Sequence, residues 1–400
     1  MPDQEEICSK VMRKSKKKTW ICKPSKGAQG DGLQLINELW EVSGLLQKTE
    51  YIIQEYVEKP LLVNKKKFDL RLYIIVYGVD PMTAYLCDEG MARFCTVDYE
   101  QPSAKNKKND FMHLSNYSIN KYSEDYVKND LGTETEATKR KLSDIYRGIE
   151  NEKPNGAEIV ETIKENITKV CKKTINAIHP FVKNNLECEI KSYSQIKSSL
   201  FHVIGIDIMI DSKYNWWLLE INNSPSMNIM FEKEFAMGDT EEKELSEIDK
   251  CIKLPMISDA LNLANLFRKD SGALQDIDEY NSLFKIYENS IDMCTGELDA
   301  VHNLKTIYDF TTGTKGKIAI TSGQFSKLFN SVEYMRLGKL VKHDMAVIFS
   351  SVVGRNKSMM DFMDFNYAVY KWFTKFKDPD SEIASKVDFP TFLRNIVEEL

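Results

Sequence analysis

Three residues that could bind a metal ion occur in two apolar segments near the middle of the sequence. Asp207 lies within HVIGIDIMI, and Glu220 and Asn222 lie within WLLEIN, where they alternate with Leu219 and Ile221. This alternation predicts a strand with Glu220 and Asn222 on one face. If the two segments pair, Asp207 joins them, and three hard oxygen ligands suit Mg²⁺ that carries substrate phosphates. The alternative is an ordinary hairpin, but apolar strands rarely turn such residues inward without a partner.

A glycine-bearing turn, Lys23 to Gly32, follows a predicted strand and has the sequence KPSKGAQGDG. Glycines let backbone N–H groups approach phosphates closely, and a lysine offsets the phosphate charge. The GK[ST] ending of a Walker loop is absent and no helix is predicted to follow. Taken alone, the segment favours a plain hairpin.

Composition excludes several classes of protein. The chain has 400 residues, of which 42% are hydrophobic and 28% charged, as expected for a globular protein. Its formal net charge of −6 does not favour nucleic acid as a partner. No apolar run reaches the roughly 20 residues that a membrane helix requires, so membrane insertion is not expected. The eight cysteines form no CxxC pair and predict reduced thiols in a cytosolic protein.

The patterning predicts two domains. Apolar spacing predicts helices at Glu158–Ile178 and Ile257–Phe267, while the charged segment Met237–Asp249 predicts a surface loop. Past about Ser271 the patterning is mostly helical. We therefore expect a ligand-binding domain over residues 1–270 and a smaller, mainly helical domain over residues 278–400.

Five blocks give the first domain a family resemblance. In order, they are TWICKPSKGAQGDG, YIIQEYVEKPLLVNKKKFDLRLYIIV, CDEGMARFCTVDY, HLSNYSINKYSED and WWLLEINNSPSM. Together they resemble the tubulin tyrosine ligase-like family, polyglutamylase type, over roughly residues 19 to 267. The resemblance implies a mixed α/β (α+β) fold of the ATP-grasp type. Family members carry a small domain before the first block, and only 18 residues precede it here, so we expect a short or missing N-terminal lobe.

The resemblance also implies roles for individual residues. The residues expected to bind ATP are Lys23, Gln29, Gly30, Gln54, Glu55, Tyr56, Val57, Lys67, Phe68, Asp69, Ser115 and Asn116. The residues expected to hold free glutamate are Arg93, Tyr117, Ser118, Lys141 and Lys253. The expected Mg²⁺ ligands are Asp207, Glu220 and Asn222, and the expected catalytic residues are Arg71, Arg93 and Glu220.

The implied reaction is ATP-dependent ligation of glutamate to glutamate side chains in the acidic C-terminal tails of α/β-tubulin or microtubules. Cationic residues in the site suit a donor with a side-chain carboxylate, which favours glutamate over glycine. A glycine-adding enzyme and an inactive microtubule-binding protein are the alternatives. The family places such an enzyme in the cytoplasm, on the cytoskeleton, at structures such as cilia or basal bodies.

The C-terminal region has a second resemblance. The blocks GQFSKLFNS, IFSSVVGRNKSMMDFMDFNYAVYKWF and DFPTFLRNIVEEL resemble the p25-alpha family of tubulin polymerisation-promoting proteins, which implies an EF-hand-like helical fold. A calcium loop needs acidic ligands at fixed spacing, and the segments starting at Asp309 and Asp361 do not provide them. We therefore expect no calcium binding. A generic helical extension is the alternative.

Overall fold

The computed structural model of the chain describes residues 2–15, 18–25, 27, 30–46, 50–79, 81–129, 136–189, 200–232, 243–269, 279–289, 299–313, 319–332, 342–353, 358–376 and 389–399. The described helices are α1 (Pro2–Lys14), α2 (Ser43–Leu46), α3 (Asp110–His113), α4 (Tyr117–Asn120), α5 (Leu142–Glu152), α6 (Gly156–Glu189), α7 (Glu247–Lys269), α8 (Asp299–Thr312), α9 (Ser322–Ser331), α10 (Lys342–Val353), α11 (Phe362–Phe376) and α12 (Phe389–Glu399), with a 3₁₀ turn at Leu39–Val42. The described strands are β1 (Trp20–Pro24), β2 (Gln34–Ile36), β3 (Tyr51–Glu55), β4 (Leu62–Val63), β5 (Lys66–Tyr77), β6 (Met82–Cys87), β7 (Met91–Phe94), β8 (Lys139–Lys141), β9 (Phe201–Ile210), β10 (Trp216–Asn222), β11 (Met230–Glu232), β12 (Lys243–Leu245), β13 (Glu279–Tyr280), β14 (Leu283–Asn289), β15 (Ile320–Thr321) and β16 (Met359–Met360).

Two antiparallel sheets form the part of the chain that contains the predicted site. The small sheet has the order β2-β1-β3 and packs Trp20, Cys22 and Ile36 against Met12 of α1. The large sheet has the order β10-β9-β5-β6-β14-β13, and β7 pairs with β5 and with β8. The predicted mixed α/β fold is therefore confirmed.

The central strand β5 separates two cores, because its side chains alternate between the two faces of the sheet. Phe68, Leu70, Leu72, Ile74 and Val76 face α5 and α6 in one buried cluster. On the opposite face, apolar side chains pack under α7. The buried members of this second cluster on β5 and α7 are Tyr73, Ile75, Tyr77, Ile248, Ile252, Met256, Ala260 and Leu263.

Both predicted helices exist, but each has one end that was predicted wrongly, because α6 continues to Glu189 and α7 begins at Glu247. The helix predicted at Glu158–Ile178 is α6, and the helix predicted at Ile257–Phe267 is α7, which begins earlier, at Glu247. The surface loop predicted at Met237–Asp249 is wrong for residues 243–249, which form β12 and the start of α7. Residues 237–242 lie outside the described residues.

The strand pair β13–β14 corrects the predicted domain boundary. β14 pairs antiparallel with β6, from Leu283 opposite Cys87 to Asn289 opposite Met82. Leu283 and Ile286 are buried in this position, so the apolar side chains of the segment complete the cores of the large sheet. Residues 279–289 are therefore strands of the large sheet, and the helical patterning expected after residue 270 is wrong for them.

Helices α8 to α12 enclose a separate cluster of buried residues. Trp372, Phe325, Phe365 and Phe392 are all fully buried in it. Two helix–strand–helix units contribute, and their short strands β15 and β16 pair antiparallel. Within the described residues, none of the helices combines the length and apolar character that crossing a bilayer requires.

Candidate active site

A row of charged side chains crosses the large sheet. It lies on the same face as Tyr73, Ile75 and Tyr77 of β5, which pack under α7. The register places Arg93 of β7 opposite Asp69 of β5, Arg71 of β5 opposite Asp207 of β9, and Asp207 opposite Glu220 of β10. Directly opposite residues on antiparallel strands share a face and lie within side-chain contact. Four adjacent strands therefore bring five of the predicted site residues together.

These residues form a buried ion-pair network. Arg93 donates from Nε and Nη2 to the two carboxylate oxygens of Asp69, both at 2.7 Å, and from Nη2 to Oδ2 of Asp207 at 2.7 Å. Arg71 donates to both oxygens of Asp207, with Nη2 to Oδ2 at 2.9 Å. The Ser115 hydroxyl donates to Oδ2 of Asp69 at 2.6 Å. Although burial opposes ionisation, Arg93 and Arg71 hold the pKa of Asp207 well below its usual range.

The three predicted Mg²⁺ ligands lie side by side, as expected. Glu220 is opposite Asp207, Asn222 is opposite Gly205, and the Asn222 amide donates to Oε1 of Glu220 at 3.3 Å. A register shift between Leu218 and Glu220 marks a β-bulge just before these side chains. Both residues nevertheless lie on the Asp207 face, which confirms the predicted alternation.

The chemistry of this trio fits a divalent cation. Glu220 as a whole is exposed, but partial burial of its carboxylate, together with the adjacent Asp207 carboxylate, raises its pKa. Two neighbouring carboxylates that resist simultaneous ionisation are stabilised by a shared cation. Among the described residues, no three His, Cys, Asp or Glu side chains form a metal-binding group, so the ligand set would be two carboxylates and one amide.

Gly205 was missed by the sequence-based prediction. A Cβ atom added to Gly205 would lie 2.9 Å from the Cβ of Pro225, and 3.4 Å from both Cδ of Arg71 and Cβ of Asn222. A glycine two residues before Asp207 therefore leaves space that the side chains of Pro225, Arg71 and Asn222 border. Its position on the same strand face as Asp207 was the signal that could have identified it.

The small sheet contributes Lys23 and Gly30. Burial lowers the pKa of Lys23, while the charges of Glu220 and Asp207 act in the opposite direction, so this lysine faces the acidic end of the row. Gly30 has a φ of +84°, and a Cβ there would lie 2.9 Å from Cδ1 of Ile119 and 3.1 Å from Cγ of Asn116. The glycine turn thus packs against Asn116, another predicted ATP residue. Gln29 lies outside the described residues.

Lys67 lies in a buried polar cluster at the start of β5. Its Nζ donates to the Tyr56 hydroxyl at 2.8 Å and to the His113 carbonyl at 2.6 Å, and it lies 4.2 Å from the centre of the Tyr56 ring. Burial lowers the pKa of Lys67 to about 8, although Cys95 and Asp69 favour its charged form. Burial and Lys67 lower the pKa of His113 to about 4. Lys67 and Tyr56 are thus brought together as predicted, with His113 as an unpredicted member.

The remaining predicted ATP residues differ in their surroundings. Gln54 and Glu55 pair with Ile21 and Trp20 of β1, and the exposed Glu55 contacts Lys18 at 2.5 Å. Val57 follows β3 and is half-buried.

The prediction for Phe68 needs a correction. Its ring stacks on Phe94 with 5.0 Å between centroids, inside the core under α5 and α6. Because strand side chains alternate, this is the face opposite Lys67 and Asp69. Only the backbone of Phe68 is therefore available to a nucleotide on the charged face.

Three of the residues predicted to hold glutamate, Tyr117, Lys253 and Ser118, differ in their surroundings. Tyr117 and Lys253 lie near one another, because Lys139 contacts the Tyr117 ring at 3.8 Å and shares Asp249 with Lys253. Ser118 lines a surface cavity of about 580 Å³. The other residues that line this cavity are Lys108, Asn109, Asp110, Phe111, Ile119 and Tyr122.

Lys139 and Asp249 were both missed. The register places Lys139 opposite Arg93, whereas the predicted Lys141 lies opposite Met91, two residues further from the ion-pair network. Asp249 accepts hydrogen bonds from Lys139 and Lys253 near the start of α7. The spacing of Asp249 and Lys253, four residues apart on a helix, was the available signal.

Comparison with known proteins agrees with these observations. The sequence profile of the tubulin-tyrosine ligase family matches residues 1–237. Human tubulin polyglutamylase TTLL11 is 35% identical over 255 residues, which are 63% of this chain and 35% of the relative. Mouse tubulin polyglutamylase TTLL6 is 36% identical over 254 residues, which are 64% of this chain and 28% of the relative. Mouse tubulin monoglutamylase TTLL4 is 35% identical over 264 residues, which are 66% of this chain and 20% of the relative. The chain therefore spans about a third or less of the length of these relatives. Because the family profile matches more than half of the sequence, the chain belongs to the tubulin-tyrosine ligase family.

Proposed function

We propose that this protein is an ATP-dependent tubulin polyglutamylase, which joins glutamate to glutamate side chains in the C-terminal tails of tubulin. The observation that carries the proposal is the row of charges from Arg93 to Glu220. This row places arginines, which can bind substrate carboxylates, beside carboxylate oxygens, which can bind a metal ion. Relatives named tubulin polyglutamylases, which match most of the same region, support this choice of reaction.

The proposed reaction has two steps. A carboxylate of the acceptor attacks the γ-phosphorus of ATP, which forms an acyl phosphate and releases ADP. The amino group of glutamate then attacks the acyl carbon, forms an amide bond, expels inorganic phosphate and loses its proton. No nucleophile from the protein is needed, so its residues act by positioning substrates and by electrostatic stabilisation.

We assign the nucleotide to the space between the two sheets. Lys23 and Lys67 offset the phosphate charge from opposite sides, and the backbone of the turn at Gly30 approaches the phosphates closely. Asp207, Glu220 and Asn222 would hold Mg²⁺, which neutralises charge on the transferred phosphoryl group when it is bound.

Arg71 and Arg93 have a positioning role in this proposal. Each donates to Asp207, and Arg93 also donates to both oxygens of Asp69, so their guanidinium groups fix the carboxylates on β5 and β9. Arg71 is the less buried of the two, with 15% of its side chain exposed against 11% for Arg93. We therefore expect Arg71 to reach a substrate carboxylate more readily.

We also propose that helices α8 to α12 form a second, EF-hand-like domain similar to the p25-alpha proteins. Two pairs of helices, each with a short strand before its second helix, support this assignment, because these strands, β15 and β16, pair antiparallel. In this proposal the second domain begins after Asn289 and binds tubulin, and the protein acts on cytoplasmic microtubules, including those of cilia or basal bodies.

The test is incorporation of radiolabelled glutamate into purified microtubules with ATP and Mg²⁺. Wild type should incorporate glutamate, and Glu220→Gln should abolish it because the variant loses a carboxylate at the metal site. Glu165→Gln, which changes an exposed carboxylate on α6 in the same way, is the matched control and should behave as wild type. Glycine and tyrosine serve as parallel donors.

Two results would contradict the proposal. Incorporation of glycine in place of glutamate would assign the protein to the glycine-adding branch. No incorporation of any donor, with co-sedimentation on microtubules intact, would make it a binding protein.

A further inference from the structure

Asp249 is a buried carboxylate with three side-chain partners and no role so far. It lies in the first turn of α7 and is 4% exposed. Its Oδ2 accepts hydrogen bonds from Lys139 Nζ at 2.8 Å and from the Ser246 hydroxyl at 2.6 Å, and its Oδ1 accepts one from Lys253 Nζ at 2.7 Å. One carboxylate therefore bridges lysines from β8 and α7, and we call Lys139, Asp249 and Lys253 the lysine clamp.

The lysine clamp carries one surplus positive charge. In the neighbouring network, two arginines are matched by Asp69 and Asp207. In the clamp, two lysines that are only 7% and 6% exposed share the single negative charge of Asp249 among the described residues. A buried charge without a partner is costly, so the clamp is a favourable place for one further anion.

The clamp lies beside one half-buried and one exposed residue, of which Tyr117 is predicted to hold the donor. Lys139 Nζ is 3.8 Å from the centre of the half-buried Tyr117 ring, and Lys253 Nζ donates at 2.6 Å to the carbonyl of the exposed Asn228. On the sheet, Lys139 is three strands from Asp207 and is offset from it by two residues along β5, which together correspond to about 16 Å between backbones. That spacing leaves room for one amino acid between the clamp and the site of phosphoryl transfer.

We propose that Asp249 is a positioning residue that sets donor specificity. It holds Lys139 and Lys253 together so that their surplus charge binds the side-chain carboxylate of the donor amino acid. The inference rests on the proposed function and deepens it, because it explains why glutamate is preferred to a donor without that carboxylate.

Lys139 is the β8 lysine that belongs to the clamp. Lys141 is on the same strand and face, but it lies opposite Met91, which packs in the core under α7. Within the described part of the chain, no ion pair is formed by the Lys141 side chain. Removal of Lys139 should therefore affect glutamate binding more than removal of Lys141.

The test is equilibrium binding of radiolabelled glutamate, glutamine and glycine to the full chain, loaded with a non-hydrolysable ATP analogue and Mg²⁺. Wild type should prefer glutamate. Asp249→Asn should weaken glutamate binding by about 10-fold or more, the effect of losing a charged hydrogen-bonded contact, because the two lysines then repel each other. Binding of glycine and of the ATP analogue should change little. A general loss of structure would instead weaken the binding of all three ligands.

Variants at two other positions sharpen the test. Glu247→Gln makes the same carboxylate-to-amide change in the first turn of α7, where Glu247 forms a half-exposed pair with Lys250, and it should bind glutamate as wild type does. Lys139→Met should lose glutamate preference even if Asp249→Asn does not fold. In ligation assays, Asp249→Asn should raise the KM for glutamate more than it lowers kcat. Asp249→Glu, which keeps the negative charge, should have a KM for glutamate between those of wild type and Asp249→Asn.

The outcomes separate this inference from the proposed function. Equal glutamate affinity in wild type and Asp249→Asn would overturn the inference, as would tighter binding by the variant, which would mean that Asp249 competes with the donor. A larger loss in Lys141→Met than in Lys139→Met would also overturn it. Failure of wild type to incorporate any donor into microtubules would overturn the proposed function, whereas donor binding is measured without the acceptor.

Discussion

Replacement of Arg93 by methionine is expected to destabilise the large sheet. The Arg93 guanidinium makes three hydrogen bonds of 2.7 Å, two to Asp69 and one to Asp207, and the residue is 9% exposed. Despite its burial, the pKa of Arg93 is raised by these two carboxylates, so its guanidinium stays charged. Methionine occupies much of the same space but donates no hydrogen bond.

The size of the effect follows from the partners that remain. Asp207 keeps Arg71, but Asp69 keeps only the Ser115 hydroxyl among the side-chain hydrogen bonds found in the described residues. Removing one partner of a buried ion pair costs about 3–5 kcal/mol, because the other charge stays buried and unpaired. We expect Arg93→Met to lower the free energy of unfolding by that amount, measured by urea unfolding with circular dichroism.

Two further variants make this prediction refutable. Arg147→Met removes an arginine whose side chain is 67% exposed and 3.3 Å from Asp144, and it should change the free energy of unfolding by less than about 1 kcal/mol. The double variant Arg93→Met with Asp69→Leu removes the unpaired carboxylate and should recover at least half of the lost stability. A loss below about 1 kcal/mol in Arg93→Met, or a double variant less stable than the single one, would refute the structural role of Arg93 and favour direct substrate binding.

Three other predictions test the site and the helical region. Gly205→Ala places a Cβ 2.9 Å from another side-chain carbon and should lower the free energy of unfolding in urea by about 1–3 kcal/mol. Gly148→Ala, where a Cβ would have nothing within 4 Å, should be neutral or stabilising, and equal effects of the two variants would contradict crowding at Gly205. Burial lowers the pKa of Lys67 to about 8, so this lysine should be about nine-tenths protonated at pH 7 and about one-tenth at pH 9. Wild type should therefore bind ATP more weakly at pH 9, measured by displacement of a fluorescent nucleotide. In Lys67→Arg, ATP affinity should depend less on pH. Trp372→Ala, at a fully buried position, should cost about 3–5 kcal/mol, and Tyr370→Ala, at a position 50% exposed, less than about 1 kcal/mol; similar losses would contradict the burial.

The predicted metal trio shows what sequence periodicity can establish. The alternation of Glu220 and Asn222 with apolar residues fixed their common face, and the pairing of β9 with β10 placed Asp207 beside them. Both features follow from short-range patterns, because successive side chains alternate and the two segments are separated by a short turn. The mixed α/β fold was expected from the family resemblance and not from periodicity, and it is the ATP-grasp-like fold of the tubulin-tyrosine ligase family.

The lysine clamp shows where such reasoning ends. The choice between Lys139 and Lys141 depends on the register of β8 against β7, and about 45 residues separate these strands in the sequence. Asp249 fell in a charged segment predicted to be a loop, although Ser246 followed by acidic residues is a signal for the start of a helix. The Ser246 hydroxyl indeed accepts a hydrogen bond from the Asp249 backbone N–H at 3.4 Å.

A single core positions both the ion-pair network and the lysine clamp. Ile248 and Ile252 of α7 are buried against Tyr73 of β5, which lies two residues beyond Arg71 on the same face. Burial raises the pKa of Tyr73, and the charges of both Arg71 and Asp249 act on its hydroxyl, so this side chain lies near both charged groups. Helix α7 therefore cannot shift along β5 without moving Asp249 relative to Arg71, and the packing of this core would set the distance between the proposed donor site and the proposed site of phosphoryl transfer.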